Sequence, residues 1–526
     1  MNRSESLNYV KNYQGIWDIL IIGGGATGLG VAVDAASRGF KTLLVEQSDF
    51  AKGTTSRSTK LVHGGVRYLE QGNLKLVLEA LKERGLLLHN APHLSANQTF
   101  IIPVYSFWRA FYYAFGLKLY DWLSGSLSLG KSKIIDRETV IRLMPNIRRQ
   151  GLRYGVVYHD GQFDDSRMAI SLARTCVNLG GHALNYVQVT GLGKSDHGDI
   201  DSIYAQDRIS QENLTLRAKV VVNATGVFTD SILQMDQPGK KATIRPSQGT
   251  HIVLDQSFLA SNQAMMLPRT DDGRVLFAVP WHGKVVAGTT DIPVQQSSNE
   301  PVASRDEIRF ILSNLGKYLE KPPQSSDILS IFSGLRPLAI PSHNHQKTKE
   351  ISRGHKLLVS KSNLITITGG KWTTYRKMAE DTVNKAIRVG KLDTKTCVTG
   401  VLKLDGYTDK PDIFPKHLRP YGANAPAIIE LEKNDPSLSQ PLHPDYPYTE
   451  AELVWSVRED MAIRIEDFLA RRIRLLFIDA RAAQDIAPKV ARIMAALLHK
   501  DESWIQSELS AFSSLTQNYL PSNYKF

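Results

Sequence analysis

The chain has 526 residues, 42% of them hydrophobic and 22% charged, with a formal net charge of +12. Roughly two to four domains suit that length, and the composition excludes a disordered or fibrous chain. Two cysteines, Cys176 and Cys397, exclude a disulfide framework and have no metal-ligand spacing, so no metal is expected and a reducing compartment fits.

The opening MNRSESLNYVKNYQG is polar and lacks the apolar centre of an export signal. No segment reaches the roughly 18 to 20 apolar residues that span a bilayer, so no crossing of a membrane is expected. The positive charge points to an anionic partner (nucleic acid, a membrane surface or a small anion) without choosing among them.

Residues 18–46, DILIIGGGATGLGVAVDAASRGFKTLLVE, read as strand, glycine turn, helix, strand and acid. Gly23 permits a tight turn, Gly25 clears space for a pyrophosphate beside Ala26 and Thr27 at the helix start, and Gly28 lets the helix pack on the strand. Glu46 ends the second strand, where a carboxylate accepts ribose hydroxyls and repels a 2′-phosphate. The adenosine diphosphate half of a dinucleotide is therefore expected here. The loop that follows offers small donors in Thr55, Ser56, Ser58, Thr59 and Lys60, and Gly64 and Gly65 allow backbone to approach a flat ring. These are expected cofactor contacts.

Residues 74–89 have helical spacing. Residues 106–125, SFWRAFYYAFGLKLYDWLSG, fit two readings: a core helix, or an interfacial helix with Trp108, Tyr113 and Trp122 at headgroup depth and Arg109 and Lys118 reaching lipid phosphates. A helix over 167–181 and a strand in HALNYVQVTGL follow, with Val189 placed near adenine. LRAKVVVNATGVFTDSI then reads as a third parallel strand ending at small residues, Ala224 to Gly226, beside the nucleotide. From Arg245 to Pro341 the pattern alternates, as in Val275, Phe277 and Val279, and predicts an antiparallel sheet with one covered face. Strand 364–368 with Gly369 and Gly370 supplies a second glycine turn and helix N-terminus, from about Trp372. Residues 393–449 are rich in proline and read as a linker. The tail from Glu450 reads as helical, with Arg464, Arg471, Arg472 and Arg474 among apolar positions, and contains no acidic calcium loop.

Taken in order, IIGGGATGLGVAVDAASRG, TTSRSTKLVHGGVRYLE, NATGVFTD, PWHGKVVAGTTD, SGLRPL, ITITGGKWTTYRKMAEDTV and VREDMAIRIEDFLARRIRLLFIDA resemble the FAD-dependent glycerol-3-phosphate dehydrogenase family over nearly the whole chain. The resemblance implies an α/β fold: a Rossmann-like FAD-binding domain of the glutathione reductase and D-amino acid oxidase kind over 1–95, 150–244 and 345–392. It implies an inserted mixed or antiparallel substrate sheet over 96–149 and 245–344, and a C-terminal all-helical domain over 450–526. It further implies oxidation of sn-glycerol 3-phosphate to dihydroxyacetone phosphate, with hydride moving from C2 to flavin N5 and electrons passing to quinone. Peripheral attachment to an anionic membrane, on the cytoplasmic face of the cell membrane, belongs to the same expectation, without calcium regulation. Monomer and homodimer stay open. An oxygen-using oxidase that makes hydrogen peroxide is the alternative. A nucleotide-bound RNA module would need a continuous basic face with stacking aromatics; the cations here gather around glycine turns instead, and no nucleic acid is expected.

Within the resemblance, Arg67, Arg336 and Arg353 match positions lining the substrate cleft, and an arginine fork suits a phosphate dianion. Lys371 and Tyr375 complete the phosphate and hydroxyl contacts, and Thr373 joins Gly226 and Gly370 among cofactor contacts. The base that takes the substrate hydroxyl proton is expected to be His251 or His63, with His251 preferred and His63 then a flavin or substrate contact.

Overall fold

The computed structural model describes residues 1–65, 73–340 and 354–524. Arg67 and Arg353 therefore lie outside the described residues. Ile19, Leu20 and Ile21 are fully buried on both faces of strand Trp17–Ile22, which explains an apolar run without alternation. That strand sits centrally in a parallel sheet, between Thr42–Val45 on one side and Asn213–Asn223 on the other. His182–Leu184 and Ile365–Gly369 extend the sheet outward in parallel, and His355–Val359 closes one edge antiparallel. The predicted third strand is present, and its first half turns away to pair antiparallel with Ile200–Asp207. Helix Ala26–Ser37 packs between helices Asp165–Asn178 and Tyr375–Val389. A Cβ on Gly28 would lie 1.9 Å from the Gly23 carbonyl oxygen, so the third fingerprint glycine is a packing requirement.

The second sheet is mixed. Ile244–Asp255 runs antiparallel to Lys284–Gly288 on one side and to Ile328–Ala339 on the other. Leu276–Trp281 and Ala264–Leu267 continue it, and Ser95–Val104 adds a parallel pairing. Tyr154–Phe163, expected in the nucleotide domain, belongs here instead, because it pairs antiparallel with Ser95–Val104 along its whole length. The expectation of one covered face also needs correction. Leu276 and Ala278 pack among Ile308 and Ile311, whereas Val275 and Phe277 turn into a large cavity and Val279 is buried beside Phe100.

Helix Phe107–Ser124 lies on that second face. Ala110, Leu117 and Tyr120 are buried and Tyr113 packs against the same cluster, but Trp108, Phe115 and Trp122 are 80%, 78% and 76% exposed. The core-helix reading is therefore wrong for half of its circumference. Among the described residues no helix is long and apolar enough to cross a membrane.

Residues 393–449 are not a free linker. Helix Ala425–Asn434 buries Ala425 and Ile428 against Ala451 and Trp455, and a hairpin joins Pro441–His443 to Tyr446–Thr449. The tail is helical over Glu450–Glu459, Ala480–Leu497 and Glu502–Thr516, with a π-helix at Asp467–Arg472. Three of its arginines, Arg471, Arg472 and Arg474, are buried, whereas Arg464 is partly exposed. Arg471 and Arg472 both reach Asp49 of the nucleotide domain, at 2.5 and 2.7 Å, and Arg474 reaches Asp165 at 3.0 Å. Buried guanidinium groups require such partners, because an unpaired buried charge costs several kcal/mol.

Candidate active site

A cavity of about 960 Å³ lies between the two sheets. Both glycine corners open onto it: Gly23 to Thr27 from one end of the central strand, and Gly369 to Thr373 from the outer strand. Gly23, Gly369 and Gly370 have φ of +115°, +75° and +76°, in the region that glycine enters without strain. The loop after Gly53 is bound to both corners. Thr55 Oγ1 accepts from the Ala26 amide at 2.9 Å, the Thr55 carbonyl accepts from the Trp372 indole at 3.0 Å, and the His63 amide donates to Thr373 Oγ1 at 3.2 Å.

Of the expected cofactor contacts, Gly23, Gly25, Ala26, Thr27, Glu46, Thr55, Ser58, Thr59, Val189, Gly226, Gly370 and Thr373 line this cavity. The Glu46 carboxylate accepts from the Gly24 amide at 2.6 Å and the Ser48 amide at 2.9 Å. Burial nevertheless holds its pKa above the ordinary glutamate value.

Other expected contacts lie elsewhere. Gly28 sits beneath the turn. Ser56 is buried with its carbonyl turned toward Lys60 and Arg474. Gly64 donates its amide to the Tyr120 hydroxyl at 2.8 Å, away from the cavity, while Gly65 lines it. Lys60 is fully buried behind the wall. Tyr375 packs its ring against Gly30, where a Cβ would come within 2.8 Å, so its side chain serves helix packing and does not reach the substrate side.

His63, His251 and Arg336 line the cavity from the side of the second sheet, and Lys371 lines it from the second glycine corner. The His251 imidazole is 2% exposed, stacks on Phe332 with centroids 4.8 Å apart, and meets Thr59 Oγ1 through Nε2 at 2.9 Å. Burial, then the charges of Lys60 and Arg336, hold it well below the usual histidine pKa, which keeps the ring neutral. Arg336 donates to Thr289 Oγ1 at 3.1 Å and to the Thr290 carbonyl at 3.2 Å, with Asp291 at 3.4 Å.

Two glycines make this arrangement possible. A Cβ on Gly288 would fall 2.4 Å from the His251 ring, and one on Gly249 would fall 2.4 Å from the Arg336 guanidinium. Behind the sheet, the buried Glu307 carboxylate fastens three segments. It accepts from Gln248 at 2.9 Å, Thr250 at 2.8 Å and Thr290 at 2.6 Å, and Thr250 in turn meets Ser333 at 2.7 Å.

Several residues of the site escape sequence reasoning. Arg57 is held by Glu300 at 2.6 Å and the Ser333 carbonyl at 3.0 Å, and Arg274 donates to the Asp291 carbonyl at 2.9 Å. Asp291 ends the GTTD stretch of PWHGKVVAGTTD, which was the signal available. Glu307 reads from sequence only as the second half of a capping box with Ser304.

Residues 18–376 match the family model described as FAD dependent oxidoreductase, and residues 361–504 match that of the C-terminal domain of alpha-glycerophosphate oxidase. The mitochondrial glycerol-3-phosphate dehydrogenase of Schizosaccharomyces pombe is 40% identical over 92% of this chain and 85% of its own length. A probable mitochondrial glycerol-3-phosphate dehydrogenase of Caenorhabditis elegans is also 40% identical, over 94% of this chain and 72% of its own. The chain belongs to the FAD-dependent glycerol-3-phosphate dehydrogenase family. The glycerol-3-phosphate dehydrogenase of Bacillus halodurans, solved with FAD, superposes with a TM-score of 0.80 at 28% identity, covering 98% of this chain and 97% of that one.

As in other glycerol-3-phosphate dehydrogenases of this family, the cofactor is FAD. The chain's own geometry fits it: a cleared helix N-terminus at Gly25, a carboxylate at Glu46, and a cavity that continues from there to the second glycine corner.

Proposed function

We propose that the protein oxidises sn-glycerol 3-phosphate to dihydroxyacetone phosphate and passes the electrons to a membrane quinone. The observation that carries this reading is that a histidine held neutral, His251, and the cations Arg336 and Lys371 all line the cavity that both glycine corners open onto. FAD bound there supplies the acceptor for the hydride that leaves C2. His251 takes the C2 hydroxyl proton, a role that needs an unprotonated imidazole at neutral pH. Arg336 and Lys371 hold the phosphate dianion, with Arg67 and Arg353 assigned to the same task by the resemblance. Glu307, working through Thr250 and Thr290, fixes the spacing between His251 and Arg336. Glu46 takes the ribose hydroxyls, and His63 contacts the flavin edge.

The exposed Trp108, Phe115 and Trp122 support peripheral attachment to an anionic membrane through helix Phe107–Ser124, with Arg109 and Lys118 meeting headgroups. A lipid-soluble acceptor is then within reach without a spanning segment.

Anaerobic mixing of the yellow holoenzyme with glycerol 3-phosphate tests the substrate. Bleaching by glycerol 3-phosphate, with glycerol and lactate inert, is the expected outcome; bleaching by glycerol alone, or by none of the three, overturns it. Reoxidation by a soluble quinone analogue at least about tenfold faster than by oxygen separates the dehydrogenase from the peroxide-forming oxidase.

A further inference from the structure

Lys60 lies in the loop that forms the cavity wall, yet its ammonium group is fully buried on the far side of that wall. Its backbone has φ of +62°, so the chain turns back on itself at this residue and sends the side chain inward. Nζ donates to the Ser56 carbonyl at 2.6 Å and to Asp165 at 2.7 Å. The remaining space around it is aromatic: Nζ lies 5.2 Å from the Trp281 ring centroid, 5.1 Å from Phe332 and 5.4 Å from Phe477. Phe332 is also the ring on which the His251 imidazole stacks, and Thr59, the residue before Lys60, is the hydrogen-bond partner of His251. The buried cation and the cavity histidine are thus separated by one aromatic side chain and one residue of backbone.

We propose that Lys60 is a positioning residue that keeps His251 in its neutral, proton-accepting form from behind the site, and fixes Thr59 against it. This inference rests on the reading of His251 as the base.

Among the described residues, the charged groups around the pair are few. Lys60 faces Asp165, which also accepts from Ser58 Oγ at 2.7 Å, and beyond it Asp164 and Arg474; Asp164 lies 3.4 Å from His282. Arg474 shares Asp165 and also approaches Asp164, so two cations and two carboxylates balance here, and Lys60 is the cation of that cluster that acts on His251. His251 faces Lys60 and, from strand Ile328–Ala339, Arg336. Strand Lys284–Gly288 places only Gly288 opposite it. Burial brings the Lys60 ammonium down to about 7. The group is therefore charged in the acid range, where an ordinary histidine takes up a proton. A positive charge in that position opposes protonation of the imidazole and extends the active range of the base to lower pH.

The test uses the FAD-loaded full-length protein. Lys60→Gln keeps donors for the Ser56 carbonyl and Asp165 while removing the charge. The limiting rate of flavin bleaching by glycerol 3-phosphate is followed between about pH 5 and 9, a window centred on histidine titration. The expected result is an acid limb that moves upward by about one pH unit in Lys60→Gln, as loss of a nearby buried charge demands. The position of the limb is the readout, independent of the height of the plateau.

Histidine-selective NMR of the wild-type holoenzyme supplies a measurement that needs no folded variant, with His251→Gln serving only to assign the signal. His251 is expected to stay neutral well below pH 6.5. An acid limb unmoved by Lys60→Gln, or a wild-type His251 that protonates at the ordinary value, overturns the proposal. Failure of wild-type flavin to bleach with glycerol 3-phosphate would instead sink the substrate reading, so the two failures are distinguishable.

Discussion

Gly288 illustrates how single residues set the geometry of this site. The His251 imidazole occupies the volume that any side chain at 288 would fill, and strand pairing places the two residues directly opposite. Gly288→Ala is expected to push the imidazole off Phe332 and away from Thr59, at an overpacking cost of about 1 to 3 kcal/mol. The limiting rate of flavin bleaching should fall by about tenfold or more, since a displaced base loses proton-transfer geometry. Flavin content, read from absorbance, should persist because the first glycine corner is untouched; simultaneous loss of flavin would show that the strand itself had failed. Of all this, sequence displayed only the glycine within GKVVAGTTD. A strand glycine signals a close approach without naming the approaching group, because the contact with His251 arises from pairing between strands far apart in sequence. Lys60 and Tyr375 mislead in the opposite way. Both sit inside motifs that line the cavity, but local backbone direction, φ of +62° at Lys60 and the helical start at Tyr375, turns their side chains into packing.

The aromatic segment presents the same difficulty over a whole helix. Its composition is legible, but a helix aromatic nearly all round gives no preferred face, and only the neighbours Phe100, Ile102, Tyr158 and Met266 decide that Ala110 and Leu117 turn inward, as Val77 and Leu81 do for Tyr120. The outward face then carries Trp108, Phe115 and Trp122, each able to contribute about 1.5 to 3 kcal/mol on entering an apolar phase. Replacing Trp108 and Phe115 together by serine is expected to weaken sedimentation with anionic vesicles by at least about tenfold while flavin bleaching by glycerol 3-phosphate in solution is retained, because neither side chain lines the cavity. Unchanged vesicle binding would assign attachment to another surface. Corner-forming elements were far easier to read, because strand, glycine turn and helix are contiguous in sequence and their chemistry is backbone chemistry.

Across the whole molecule, buried charge ties the C-terminal domain to the nucleotide domain. Asp49, four residues past strand Thr42–Val45, receives both Arg471 and Arg472, and Arg474 shares Asp165 with Lys60. Asp49→Ala leaves two buried guanidinium groups short of a partner and is expected to cost about 3 to 5 kcal/mol. Thermal unfolding followed by far-UV circular dichroism and by flavin fluorescence should show one coincident transition, shifted downward in the variant. Separate transitions would mean that the two domains melt independently. From sequence those arginines read only as part of a helical tail and 393–449 as a linker, since proline-rich stretches look alike whether they pack or not, and the partners lie roughly 300 to 420 residues away along the chain. Strand Tyr154–Phe163 was misplaced for a related reason: nothing local distinguishes the sheet it joins. The aromatic helix has one practical outcome for anyone handling the enzyme. Its inner side and the wall of the cavity draw on the same apolar cluster, Phe100, Tyr158, Met266 and Phe277. Surfactant that coats the outer side during purification is separated from the cavity only by the helix and that shared cluster, and turnover in micelles and in bilayers is expected to differ at equal flavin loading.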